Sequence, residues 1–319
     1  MSAQKTEGHM QHGGRRTIRR WGAAVIASTA ALSIAVPTAT AQAAGGPSGI
    51  RAKSAYLLDS GANRQLWTKD ADTKRPMASI TKLMTAVVVL DTRGVNLDKK
   101  VTVKQAYLDY IRTSGGSAAD LKKGDKLTVK QLLYGMLLPS GCDAAMALAD
   151  TFGTGNTTAK RTKSFISKMN KEADTLGMTR TRYDSFDGIS DRGGNYTTAR
   201  DLAKLARHAL GNATLRTVVK SVDTQQKAPA ANGRTRTYFW SNTNKLLGSY
   251  RGAIGVKTGT GSTAGKCIVF AAKRDGRTVV GVVLNDANRY PDAKKMLDWA
   301  YHTRTQVTWR QLPGGAPRD

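Results

Sequence analysis

The strand-forming segments of this 319-residue chain lie near its two ends, with a long helical block between them. Residues 54–58 and 64–67 flank Gly61-Ala62-Asn63, the pattern of a hairpin. Far downstream, residues 256–259, 267–273 and 278–284 are β-rich again, and Arg274-Asp275-Gly276-Arg277 supplies a tight turn between the last two. The two halves of the sheet thus come from opposite ends of the chain, and one five-stranded antiparallel sheet is the expected result. Between them, Ile80, Leu83, Met84, Val87 and Val88 fall on one face of a helix over 79–90, expected to be buried and amphipathic. Further helices are predicted over 131–138, 142–151, 160–176 and 197–210, the last opened by the capping run Thr197-Thr198-Ala199-Arg200-Asp201. A helix over 292–303 closes the chain. The fold class is α/β: an antiparallel sheet joined to a helical region, with a cleft between them that gathers Ser79, Ser140 and Lys257.

Those three residues belong to short motifs with chemical content. Lys82 follows Ser79 by three positions in Met77-Ala78-Ser79-Ile80-Thr81-Lys82. On a helix this spacing puts two side chains on one face, roughly 5–6 Å apart at Cβ. A lysine kept neutral by burial can take the serine proton and turn an inert alcohol into a nucleophile. That role requires a lysine pKa lowered to roughly 7–8. Ser79 alone would read as a helix cap and Lys82 as a solvated lysine; the pair, with two more motifs in order, favours catalysis. Pro139-Ser140-Gly141-Cys142 places another serine at a loop-to-helix boundary, and Lys257-Thr258-Gly259-Thr260 lies on a strand.

The order S-x-x-K, S-x-C, K-T-G resembles the penicillin-recognising serine enzymes. Within that set the chain resembles the low-molecular-mass penicillin-binding proteins, D-alanyl-D-alanine carboxypeptidases and transpeptidases. The resemblance extends over about 52–301 and includes Leu58-Asp59-Ser60-Gly61, Gly135-Met136-Leu137-Leu138, Asp187-Gly188, Asn242-Thr243-Asn244 and Ala264-Gly265-Lys266-Cys267. It implies the DD-peptidase fold and a serine-type D-Ala-D-Ala carboxypeptidase acting on peptidoglycan stem peptides and acylated by β-lactams. It further implies Ser79 as nucleophile, Lys82 as general base and Ser140 as relay to the departing amine. Lys257 and Thr258 would hold the substrate carboxylate, and Gly259 would admit close backbone approach. The amides of Ser79 and Thr260 would form the oxyanion hole, worth roughly 3–4 kcal/mol per donor. Cys142 departs from the commoner asparagine: a thiol offers one weak donor and no carbonyl, so hydrolysis slows and an amine acceptor gains time. Catalysis by Cys142 itself is a second reading.

Three rivals are weighed on residues. The transpeptidase reading shares the whole site. A β-lactamase of class A type needs a glutamate in E-x-x-x-N, but beyond Glu7 the chain has only Glu172, followed four residues on by Leu176. A non-catalytic wall-binding protein would have no use for an intact Ser79, Lys82, Ser140 and Lys257.

Residues 1–43 carry Arg15, Arg16, Arg19 and Arg20, an apolar stretch over 21–36, and Ala41-Gln42-Ala43. That is the layout of a secretory signal peptide, and the apolar stretch falls short of the roughly 20 residues of a membrane span. A linker at 44–51, a catalytic domain at 52–303 and a tail at 304–319 complete the expected organisation, in a secreted or wall-associated protein. Formal charge is +27, and removing residues 1–43 takes away five bases and one acid. Such an excess points to a polyanionic neighbour; in an exported chain without a nucleic-acid motif, anionic wall polymer is expected rather than nucleic acid. Cys142 and Cys267 invite a disulfide, yet each also suits a small buried residue. No cofactor is expected and no metal constellation is evident, since past the signal only His208 and His302 occur, each reading as a surface helix residue.

Overall fold

The computed structural model describes residues 45–190 and 193–316. The signal-peptide reading and the last three residues of the tail lie outside them. In chain order the elements are β1 (Ser54–Asp59), β2 (Arg64–Lys69), α1 (Thr81–Leu90), β3 (Lys100–Thr102), α2 (Gln105–Ser114), β4 (Lys126–Thr128), α3 (Val129–Leu137) and α4 (Cys142–Phe152). They continue with α5 (Thr158–Thr175), α6 (Ala199–Ala209), α7 (Ala213–Lys220), β5 (Asp223–Pro229), β6 (Thr235–Ser241), β7 (Ala253–Gly261), β8 (Gly265–Arg274), β9 (Arg277–Asp286) and α8 (Arg289–Ala300).

The main sheet runs β2-β1-β9-β8-β7, antiparallel throughout, so both chain ends meet at the β1–β9 pair as expected. Strand alternation divides the core. Ala55, Leu57, Ile268, Phe270 and Val283 face one layer with Ala293, Met296 and Leu297 of α8. Tyr56, Leu58, Val269, Ala271, Val280 and Val282 face the helical block. Gly281 falls on the α8 side because the Phe270 ring occupies the space, with ring atoms 2.0 Å from where a Cβ would stand.

Within the helical block, local chemistry sets the boundaries. Thr128 opens α3 with a capping box to Gln131, and the Thr198 hydroxyl caps α6 through the Asp201 amide. Phe165, Met169 and Ala173 recur every four residues and bury one face of α5. Two expectations change here. Ser79 lies not in the helix but in a 3-10 turn, Ala78–Ile80, that precedes α1. The burial expected of α1 holds, but it extends to all ten residues because α3, α4, α5 and α6 surround it; it is a central helix without a polar face.

Candidate active site

Gly259 permits the turn that carries Ser79 to dock on the sheet. A Cβ at this position would fall 2.9 Å from the Met77 carbonyl oxygen and 3.0 Å from the amide nitrogens of Ser79 and Ile80. Ala78, just before Ser79, holds φ at +46°, a conformation that costs a non-glycine residue about 1–3 kcal/mol. The bend brings Ser79 over the first turn of α1. There Lys82 Nζ donates to Ser79 Oγ at 2.9 Å and to the Asp187 carbonyl at 3.0 Å. Lys82 is wholly buried.

A second serine–lysine pair stands beside the first. Ser140, in the turn from α3 to α4, is also left-handed, with φ +68°. Lys257 Nζ on β7 donates to Ser140 Oγ at 3.0 Å and to the Thr258 carbonyl at 2.9 Å. Asp143, in the first turn of α4, accepts from the amides of Ala119 and Leu121 at 2.8 and 3.1 Å. This ties the 116–121 segment to the motif, and Ser117 adds a hydroxyl bond to the Ser140 carbonyl at 2.8 Å. Burial pushes the Asp143 carboxyl up, against those amides, which pull it down.

These groups border a cleft of about 680 Å³ whose lining includes Ser79, Ser117, Cys142, Asn195 and Thr260. The sequence-predicted residues therefore divide. Ser79, Cys142 and Thr260 line the cleft, whereas Lys82, Ser140, Lys257 and Thr258 are buried. The Thr258 hydroxyl shares a 2.6 Å bond with that of Thr243, so the β7 hydroxyl on the cleft side is that of Thr260. Arg289, at the start of α8, fixes the end of β7: its Nη1 donates to the Gly259 carbonyl at 2.8 Å and to Thr260 Oγ1 at 3.0 Å.

Cys142 is buried at the cleft wall, against a loop where Gly116 leaves no room for a Cβ, which would sit 2.8 Å from the sulfur. Burial pushes its thiol up to about 12, with Lys82 pulling down and Asp187 pushing up. At neutral pH it is a protonated thiol, unsuited to nucleophilic attack. Cys142 and Cys267 are both free and buried, so they form no disulfide.

Sequence reasoning assigned no role to three supports. Asp187 acts on Lys82 through its main-chain oxygen, which leaves no side-chain signature. Asp143 and Arg289 act by filling backbone valences across long sequence separations. Their only sequence signal is a charged residue beside a motif or at a helix start.

A family model described as D-alanyl-D-alanine carboxypeptidase matches residues 38–288. The D-alanyl-D-alanine carboxypeptidase of Streptomyces sp. (strain K15) is 49% identical over 288 residues, covering 89% of this chain and 99% of that protein. The enzyme DacB2 of Mycobacterium tuberculosis, of the same description, is 33% identical over 258 residues, covering 79% of this chain and 82% of that one. Among solved structures, the Streptomyces K15 DD-transpeptidase superposes with a TM-score of 0.79 at 51% identity, covering 81% of this chain and 99% of that chain. Motif order, sheet topology and likeness along most of the chain agree, and the protein belongs to the D-alanyl-D-alanine carboxypeptidase family, a hydrolase with the α/β DD-peptidase fold.

Proposed function

We propose that Ser79 attacks the carbonyl of the penultimate D-alanine in a peptidoglycan stem peptide, forming an acyl-enzyme and releasing the terminal D-alanine. The observation that carries this is the 2.9 Å contact between Lys82 Nζ and Ser79 Oγ, with the lysine sealed from water. Full burial disfavours the ammonium form, and a neutral amine takes the Ser79 proton as the oxygen bonds to carbon. The proton then reaches the leaving D-alanine nitrogen through Ser140, whose hydroxyl Lys257 holds in place. Lys257, with Thr260 on the cleft side of β7, supplies the positive end for the substrate carboxylate. The amides of Ser79 and Thr260, brought close by the docking at Gly259, receive the oxyanion.

A β-lactam presents its ring carbonyl to the same serine. Deacylation is slow because Glu172, the one glutamate past residue 7, lies with Asp91 at the far end of α1 from Lys82. Transfer to an amine is a second outcome of the same acyl-enzyme. It is favoured by the buried, protonated thiol of Cys142, which offers only one weak donor where a side-chain amide would hold substrate. The catalytic domain is assigned to 52–303. Residues 1–43 serve export, and the excess of basic residues favours retention by an anionic wall polymer.

The test is product analysis with a diacyl-D-Ala-D-Ala peptide, with and without an amine acceptor. Free D-alanine is expected in both cases, with a transfer product added when the acceptor is present. No D-alanine release, or release undiminished by Ser79→Ala, would overturn the reading.

A further inference from the structure

Asp91, Glu172 and His208 bring one side chain each from three helices to a single point. Their ligand-capable atoms all lie within 4.8 Å of one another. Asp91 is the C-cap of α1, Glu172 lies one turn before the end of α5, and His208 is in the last turn of α6. His208 Nε2 and Asp91 Oδ2 are 2.6 Å apart. In a chain with 50 lysines and arginines, these two carboxylates nevertheless meet an imidazole. Neither forms an ion pair with a lysine or arginine among the described residues.

We propose that this cluster is a binding site for a divalent cation of the zinc class. Imidazole nitrogen with two carboxylates suits zinc, whereas magnesium and calcium favour all-oxygen sets. Zinc bonds to nitrogen and carboxylate oxygen are about 2.0–2.2 Å, so tetrahedral ligand atoms stand ~3.3 Å apart. The cluster spans that separation, and an imidazole–carboxylate contact already in place needs only to open around the ion. The ends of α1, α5 and α6 converge here with their carbonyl termini, whose partial negative charge favours a cation. Asp91 and His208 side chains are 35% and 40% exposed, leaving an entry path and a place for water as fourth ligand.

The site is separate from the catalytic centre. Lys82 is in the first turn of α1 and Asp91 caps its other end, so eight helical residues lie between them, an axial separation of about 14 Å. A bound ion would join α1, which carries the catalytic lysine, to α5 and α6. Its primary effect is on the stability of the helical block, with the chemistry at Ser79 left intact.

The experiment titrates zinc chloride into metal-stripped full chain carrying His9→Ala and His12→Ala, which removes the imidazoles of the segment before residue 45. Calorimetry gives stoichiometry and affinity, and thermal unfolding gives a second readout. One equivalent is expected to bind, with the melting temperature rising by about 5 °C or more at a hundredfold excess over the dissociation constant. His208→Ala should abolish both effects. Glu172→Gln, near-isosteric and on the surface, should weaken binding at least about tenfold. His302→Ala should change neither, and unaltered penicillin labelling in every variant confirms that each is folded. Absence of saturable binding, or binding of equal affinity in His208→Ala and Glu172→Gln, would overturn the proposal.

Discussion

One methyl group at Gly188 is expected to slow acylation without touching any catalytic side chain. Gly188 has φ +100°, and a Cβ there would stand 2.0 Å from the Ala78 carbonyl oxygen and 2.9 Å from the Ser79 nitrogen. A carbon–oxygen contact needs about 3.3 Å, so the loop or the turn that carries Ser79 must give by roughly 1.3 Å. Neither is free to do so. The Thr85 hydroxyl holds the loop through the Phe186 carbonyl at 2.5 Å, Tyr110 through the Asp187 carboxylate at 2.8 Å and Lys82 through the Asp187 carbonyl at 3.0 Å. The turn, for its part, is seated on Gly259. A misplacement of about 1 Å costs reactions of this kind on the order of 10²-fold. Gly188→Ala is therefore expected to react with a fluorescent penicillin about 100-fold more slowly. Left-handed backbone strain at a non-glycine residue adds a stability loss of roughly 1–2 kcal/mol. Gly276→Ala separates the two effects: its φ is +76°, but nothing stands within 4 Å of the added carbon. It should show the strain cost in urea unfolding and label at the normal rate. A folded Gly188→Ala protein that labels within about threefold of the unmodified chain would refute this reasoning.

Asp150 joins α2, α4 and α5 by accepting from Tyr107 and Lys104 at 2.6 Å and Arg161 at 2.7 Å. Burial pushes its carboxyl up, but those donors prevail and hold it at about 2, below the usual 3.8. A depressed carboxyl stabilises the fold above its unfolded pKa and loses that contribution as pH falls through the folded one. Asp150→Asn should thus cost about 2 kcal/mol at pH 7, with the deficit narrowing by roughly half at pH 3. Urea midpoints across that range check it, and a pH-independent deficit contradicts it. The two thiols are pushed up by burial to about 12 at Cys142 and about 11 at Cys267. Native protein at pH 8 is accordingly expected to resist iodoacetamide at both, with two adducts by mass only after unfolding. Rapid native alkylation at Cys142 would show that its surroundings are wetter and more polar than described.

The sheet was legible because β8 and β9 are nearly continuous apolar runs and the β1–β2 hairpin has its turn residues in place. The Ser79–Lys82 pair was legible because the helical period converts a spacing of three into contact, even though Ser79 proved to lie in the preceding turn. Other parts carry weaker local signals. In α2 only Tyr107 is buried, so no apolar stripe announces the helix. In the β5–β6 hairpin, β5 is largely polar and exposed, Asp223-Thr224-Gln225-Gln226-Lys227 facing Ser241-Trp240-Phe239-Tyr238-Thr237 across the register. Asp187 meets Lys82 through a main-chain oxygen, which any residue would supply. His208 was read as a plain surface residue because its partners, Asp91 and Glu172, sit on two other helices and only the fold brings them together.

Peptide mapping after brief exposure to benzylpenicillin tests the role of Ser79 most directly. The penicilloyl group is expected on the peptide containing Ser79, and Ser79→Ala is expected to carry none while Cys142→Ala retains it. An adduct on Ser140 or Cys142, or undiminished labelling of Ser79→Ala, would contradict the assignment of Ser79 and Lys82 as nucleophile and base.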